Sequence, residues 1–209
     1  MGIAVREIYS TDPEHLAAAF VGTPWERRGR AHFDALLARH ESGDRVVLVG
    51  LVDGVPRAHV SLAWESAYGP FRVDGVPEIV DLVVAPAVRR RGIASQLLDQ
   101  LEAIAAERGQ QVGIAVGLHP GYGAAQRLYI RRGFLPDGTG ASKDGQPVSE
   151  GVLVEFGDDI VLHLRKTLDP PSVVPESDPA SRVLILGGPG SGKTSMARLL
   201  RRLLSCPVL

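Results

Sequence analysis

Apolar and polar residues alternate over residues 3–9, Ile-Ala-Val-Arg-Glu-Ile-Tyr, which predicts a strand. Thr11-Asp12-Pro13-Glu14 sets Pro just inside a helix start with an acid in the first turn, so a short helix is expected to about Phe20. A second helix is predicted over 26–40, with Ala31, Phe33, Leu36 and Leu37 making its apolar face. Two β-rich runs, 45–52 and 56–64, flank Asp53-Gly54 and read as a hairpin. A third strand is expected over 77–85 after a further Asp-Gly turn, and Pro86 stops it. Residues 89–108 read as a helix, because Ile93, Leu97, Leu98, Leu101, Ile104 and Ala105 share one face and Gly109 can cap the end. The apolar run 112–118 suits a central strand. Residues 121–132 form a second amphipathic pattern closed by Gly133, and Phe134 opens another strand. The Gly, Ser and Asp of 138–151 predict an exposed loop, and 159–166 a closing strand. Hairpins early and strand–helix alternation later predict an α/β fold, a mixed sheet with helices on both faces.

Composition narrows the function classes. The chain has 209 residues, 44% of them hydrophobic and 22% charged, the balance of a globular protein. A net charge of −1 lacks the basic excess of a dedicated nucleic-acid binder, so no nucleic-acid partner is expected. No apolar run approaches the roughly 18 residues of a membrane span, and the first residues show no secretory pattern. Cys206 is the only cysteine, which excludes an internal disulfide and fits a cytoplasmic setting. The six histidines fall in no metal-ligand spacing, so no metal is expected.

The densest chemical signal runs from Ile79 to Ser95. A strand leads through Pro86 into Arg89-Arg90-Arg91-Gly92, and a helix opens at Ile93-Ala94-Ser95. The first N–H groups of a helix have no intrahelical partner, and the helix dipole favours an anion there. Gly92 permits close backbone approach, and the arginines add charge-assisted contacts, so a pyrophosphate is the natural occupant.

Arg89-x-x-Gly92-x-Ala94 matches the Q/R-x-x-G-x-G/A signature of the GNAT family of N-acetyltransferases, and the chain resembles that family over residues 3–168. Ala125-x-x-Leu128-Tyr129-x-x-x-Gly133-Phe134 matches the family's second signature. The resemblance implies a mostly antiparallel mixed sheet whose two central parallel strands, 77–85 and 112–118, splay apart. It implies acetyl-CoA as cosubstrate, its pyrophosphate on Arg89, Arg90, Arg91, Gly92, Ile93, Ala94 and Ser95. Its pantetheine would pair like an extra strand with Leu82, Val83 and Val84. One departure stands out: Tyr122 occupies the place where the family often carries Asn.

Acetyl transfer to an amine needs a neutral amine, a donor for the oxyanion and a proton for the departing thiolate. The resemblance places Tyr129 beside the thiolate as acid. It offers Glu78 and Asp81 as candidate bases, Glu78 slightly favoured and a water chain a third route. On a regular strand the two carboxylates face opposite sides; a β-bulge would change that. The backbone N–H of Val83 or Val84 is the expected oxyanion donor. The acceptor pocket is expected to draw on residues 20–35 and on the hairpin end at Trp64, Glu65 and Tyr68. The acceptor is a small-molecule or peptide amine, and a homodimer is left open.

A second motif lies beyond a Pro-rich linker at 169–181. Val183-Leu184-Ile185-Leu186 reads as a buried strand, and Gly187-x-x-Gly190-x-Gly192-Lys193-Thr194 satisfies the phosphate-binding P-loop pattern ahead of a Leu-rich helix. It resembles the start of a P-loop kinase, which would use ATP and Mg²⁺ in a complete parent protein. Residues 182–209 hold neither further strands nor a second-strand acid, so a severed strand–loop–helix is expected. The expected domains are therefore 1–168, the linker 169–181 and the fragment 182–209. Acetyl transfer leads; a kinase fragment and a non-catalytic acyl-CoA-binding module are the alternatives.

Overall fold

The computed structural model describes residues 2–169. The P-loop motif, with Gly187, Gly190, Gly192, Lys193 and Thr194, and nearly all of the expected linker lie outside the described residues. Eight strands make one sheet: β1 (Ile3–Glu7), β2 (Arg45–Val52), β3 (Val55–Ala63), β4 (Glu78–Val84), β5 (Gln111–Gly117), β6 (Leu135–Lys143), β7 (Gln146–Pro147) and β8 (Ile160–Thr167). Their order is β1-β2-β3-β4-β5-β8-β6-β7. Only β4 and β5 pair in parallel; every other neighbouring pair is antiparallel. The helices are α1 (Asp12–Ala19), α2 (Gly29–Glu41), α3 (Gly69–Val73), α4 (Ile93–Ala106) and α5 (Gly123–Arg131). No helix among the described residues is long and apolar enough to cross a membrane.

Strand alternation sorts the core into two faces. Val49 pairs with His59, whose ring meets those of Phe20 and Phe33 edge-on, beneath α1 and α2. One residue along, Gly50 pairs with Ala58, and a Cβ at Gly50 would stand 2.7 Å from the Ile93 side chain of α4. Helices α1 and α2 therefore cover one face and α4 the other. The apolar stripe of α4 is buried as its period requires, at Ile93, Leu97, Leu98, Leu101 and Ala105.

Two segments differ from expectation. The 138–151 region is not simply a loop: β6 continues to Lys143, turns at Asp144-Gly145 and returns as β7. A register shift between Pro136 and Ala141 takes up Gly138 and Gly140, after which Ala141 to Lys143 pair with β8, helped by a buried hydrogen bond of 3.1 Å between Ser142 Oγ and His163 Nδ1. Those polar residues carry no apolar alternation, so the pairing leaves no trace in the pattern. The short helix α3 was also not expected. Its Phe71 is fully buried and lies where a Cβ on Gly113 of β5 would stand, 2.1 Å from the ring. Gly113→Ala is accordingly expected to cost roughly 1–3 kcal/mol by overpacking, read as a lower urea midpoint at unchanged slope. Phe71→Leu in the same chain should restore part of it. An unchanged midpoint in Gly113→Ala would show that Phe71 is not what requires the glycine.

Candidate active site

The parallel pair β4–β5 is joined at one end only. Glu78 faces Gly113 and Ile79 faces Ile114, and no register pair follows, although both strands continue. The cause lies in β4. Between His59 and Ser61 of β3, a step of two residues meets a step of three on β4, from Val83 to Val80. Asp81 sits in this bulge with φ 57°, a left-handed conformation that Asp tolerates better than most residues. The bulge bends β4 away from β5 and opens a gap bounded by Asp81–Val84 and by the end of β5. Backbone direction follows from pairing. The Ala85 N–H donates to Arg57 O at 2.8 Å, so Ala85 and, two residues back, Val83 turn towards β3. Val84 turns the other way, into the gap.

The bulge also decides where the acids point. Arg45 reaches across the small side chains of Ala63 and Ser61 and lies within the field of both Glu78 and Asp81, so the two carboxylates share the α1–α2 face. They differ in surroundings. Glu78 is buried beside the closed end of the gap, and its Oε2 accepts from Ser66 Oγ at 2.6 Å. Burial raises its pKa, against the opposing pull of Ser66 and Arg45. Asp81 lies at the opening. Its Oδ1 is 3.3 Å from Arg28 Nη2 and its Oδ2 is 4.0 Å from Arg45 Nη1. Below this pair, His32 and His59 are pushed towards the neutral form, chiefly by burial; His59, wholly enclosed, falls to about 3.

At the end of β4 the chain makes a short 3-10 turn, Pro86–Val88, and a tight corner before α4. Arg90 (φ 61°) and Gly92 (φ 85°) are both left-handed there, which is why α4 starts at Ile93 and not at 89. A Cβ on Gly92 would meet nothing within 4 Å, so the position needs glycine for its dihedral and not for protein packing. The Gly92 carbonyl accepts from Gln96 N, which leaves the N–H groups of Ile93, Ala94 and Ser95 at the open head of the helix. Arg89 points back along β4: its Nε donates to Val84 O at 3.0 Å and its guanidinium lies over the Trp25 ring at 4.7 Å.

Helix α5 follows the end of β5 after a short 3-10 turn, Pro120–Tyr122. Tyr129 is buried, and that burial pushes its phenol well above the ordinary range, with a smaller contribution from nearby Tyr122. Tyr122 packs against Gly117, where a Cβ would come within 2.4 Å of its ring, and it feels Asp158 and Arg28 electrostatically. His119 holds this corner: its Nδ1 accepts from Gly121 N at 3.1 Å, so its Nε2 donates to Asp158 at 2.6 Å. An open, anion-favouring helix head thus stands beyond a strand gap with one acid at its opening and one at its closed end.

The model of the acetyltransferase (GNAT) family matches residues 3–134. The chain belongs to the GNAT acetyltransferase family. No curated protein matches the chain in sequence. Among solved structures it is similar to a ribosomal-protein-alanine N-acetyltransferase from Brucella melitensis, at 21% identity and TM-score 0.59, over 79% of this chain and 99% of the other. It is similar to yncA of Salmonella typhimurium, described with its cofactor acetyl-CoA, at 19% identity and TM-score 0.60 over 81% and 95%. A PaiA N-acetyltransferase of Thermoplasma acidophilum, in complex with coenzyme A, aligns at 16% identity and TM-score 0.54 over 78% and 98%. These likenesses describe the fold.

For this GNAT chain the expected residues take separate places. Asp81 and Val84 border the gap, and Gly92, Ile93, Ala94 and Ser95 form the helix head beyond it; Glu78 lies at its closed end; Val83 turns its backbone to β3; Tyr129 is buried near Phe134. Trp64 departs from expectation. It packs under Arg108, 4.0 Å from ring centre to guanidinium and just past the far end of α4 from Gly92, because Trp64 continues the alternation of Ala58 on β3 and so turns to the α4 face. Tyr68 is likewise engaged elsewhere, stacked on His163 with its hydroxyl donating to Asp137 at 3.0 Å. Arg28 and His32 fall within the 20–35 segment expected for the acceptor pocket without being singled out, and Arg45 and His59 went unremarked in the sequence. Arg28 stands in Glu26-Arg27-Arg28, which reads as a solvated helix start; only the inward position of His59 on an alternating strand could have marked it.

Proposed function

We propose that the protein transfers the acetyl group of acetyl-CoA to a primary amine of a small molecule or peptide by direct attack on the thioester. The observation that carries this reading is the one-ended β4–β5 pair leading straight into the left-handed turn at the head of α4. Glycine at φ 85° holds the N–H groups of Ile93, Ala94 and Ser95 in one direction, the arrangement a pyrophosphate needs. Val84 would pair with the pantetheine arm and give its N–H to the oxyanion. Arg90 and Arg91 supply positive charge beside the phosphates.

Asp81 is the better placed base, because it stands at the opening of the gap while Glu78 is held by Ser66 at the closed end. The ammonium group gives one proton towards Asp81 and solvent, and the neutral nitrogen then bonds to the thioester carbon. The C–S bond then breaks, and the departing sulfur takes a proton from the Tyr129 hydroxyl. The adduct's second nitrogen proton leaves as the C–S bond breaks and restores the Tyr129 phenol once that has served the sulfur. Burial keeps the Tyr129 phenol protonated in the resting site, as a donor role requires.

An amine panel incubated with acetyl-CoA, with free thiol detected, tests the reading. Tight acetyl-CoA binding without thiol release on any amine would favour a non-catalytic acyl-CoA module. Tyr129→Phe removes one hydroxyl and little volume. It is expected to lower kcat by roughly tenfold or more with acetyl-CoA affinity almost unchanged. Unchanged turnover would return Tyr129 to packing against Phe134.

A further inference from the structure

The α1–α2 face of the gap sets two guanidinium groups, Arg28 and Arg45, beside the carboxylates of Asp81 and Glu78. Arg28 and Arg45 both address Asp81, at 3.3 Å and 4.0 Å, and neither distance is that of a tight charge-assisted bond. Glu78, the other carboxylate here, is turned to Ser66. One carboxylate thus serves two guanidinium groups. Polar atoms are also left over beside it. Arg28 Nη1, His32 Nε2, Ser61 Oγ and both ring nitrogens of His59 are buried and have no hydrogen-bond partner among the described residues. Buried polar groups are almost always paired in folded proteins, so a cluster of five such atoms calls for a polar occupant. His59 and Ser61 are fully buried on the same face of β3 and form the floor, where ordered water can bridge them. Arg28 is different. Its side chain is partly exposed, at 23%, beside Asp81 and near enough to Tyr122 to act on its phenol.

We propose that the acceptor is an amine with a carboxylate beside it, an α-amino acid or close analogue, whose carboxylate is bound by Arg28 while Asp81 takes the ammonium group. The assignment rests on the acetyltransferase reading and names its substrate class. In an α-amino acid the nitrogen and the carboxylate carbon lie about 2.5 Å apart, from the standard bond lengths and angle. Two charges so close need an anion and a cation side by side in the protein, and Asp81 with Arg28 is such a pair. The direction is also right: Asp81 is on the strand that borders the gap, and Arg28 comes from the segment outside it, so the amine is the end nearer the thioester. The planar guanidinium of Arg28 can meet a carboxylate with two parallel N–H groups, an arrangement that lysine cannot reproduce. A polycation meets the opposite situation, since Arg28 and Arg45 repel its further charges.

The test uses matched acceptors: free amino acids, the same amino acids as carboxamides, the corresponding decarboxylated amines, and dipeptides, whose terminal amine has no adjacent carboxylate. Thiol release from acetyl-CoA gives kcat/KM for each. Free amino acids are expected to exceed their carboxamide, amine and dipeptide partners by about tenfold or more. Arg28→Met should raise KM for free amino acids by at least about tenfold and leave KM for the decarboxylated amines and the affinity for acetyl-CoA within about twofold. Arg28→Lys should recover part of the preference. Equal or better use of decarboxylated amines or dipeptides by the unaltered protein would overturn the proposal, and so would an equal effect of Arg28→Met on both classes. If no amine releases thiol, the acetyltransferase reading fails on its own. Calorimetry of an amino acid and its decarboxylated partner against the CoA-saturated protein then decides whether Arg28 binds carboxylates: binding confined to the amino acid and lost in Arg28→Met supports it, and equal or absent binding overturns it.

Discussion

Gly92→Val is expected to abolish the rise in melting temperature that acetyl-CoA gives the unaltered protein. A ligand bound only by the folded state stabilises it by about 2.7 kcal/mol at a hundred times its dissociation constant. For a chain of this size that is roughly 5–11 °C. Gly92 holds φ 85°, and a β-branched residue avoids that region strongly. A valine there is accommodated by rotating the corner between β4 and α4, because no protein atom lies within 4 Å of its Cβ to hold it. Rotation swings the N–H groups of Ile93 and Ala94 off their common direction, and the methyl groups enter the space a phosphate would fill. The fold itself loses little, about 1–2 kcal/mol for the strained residue. The two effects separate cleanly in a thermal melt with and without acetyl-CoA. A valine variant that melts slightly lower yet keeps the full acetyl-CoA shift would show that the turn does not hold the pyrophosphate.

The second large effect is acid sensitivity from His59. Its ring is enclosed by Phe20, Phe33 and His32, and burial, reinforced by Arg28 and His32, lowers its pKa from 6.5 to about 3. Between those two values the unfolded chain binds a proton that the folded protein refuses. Stability from this group is therefore complete above about pH 6.5 and is lost as pH falls, at about 1.4 kcal/mol per unit. From pH 6.5 to pH 5 the loss is about 2 kcal/mol, or roughly 4–8 °C. His32 and His163, also shifted down mainly by burial, act in the same sense. Glu78, shifted up, acts in the opposite sense above its unfolded value of 4.5 and softens the slope there. His59→Gln and His59→Phe both remove the titration, one keeping polarity and the other keeping ring volume. Each should flatten the dependence of the urea midpoint on pH between 7 and 5. The same acid slope in both variants as in the parent chain would show that His59 does not govern it.

Much of the cofactor side was legible in the chain. The run from β4 through Arg89-Arg90-Arg91-Gly92 into α4 is local: strand, corner and helix lie within some two dozen residues, and a left-handed glycine ahead of an apolar helix stripe is a sequence-level signal. The boundaries moved by only a few residues, chiefly because Arg90 shares the left-handed conformation with Gly92. The acceptor side was far less legible. Arg28 comes from the α1–α2 connection, Arg45 from β2, His59 from β3 and Asp81 from β4, and no spacing along the chain ties them together.

By itself the sequence determined most strands and helices of the core and the left-handed glycine corner at the head of α4, because hydrophobic period and glycine dihedrals act over a few neighbouring residues. It also determined the presence of Tyr129, Glu78 and Asp81 as candidate acid and bases. The tertiary structure alone decided which carboxylate stands at the opening. One extra residue in β4 opposite His59–Ser61 turns Asp81 to the side of Glu78, and that insertion exists only relative to a partner strand. It likewise decided that Trp64 leaves the site for Arg108 and that Arg28 enters it, since those contacts depend on how α4 and the α1–α2 connection cross a sheet whose twist and splay accumulate over many strands.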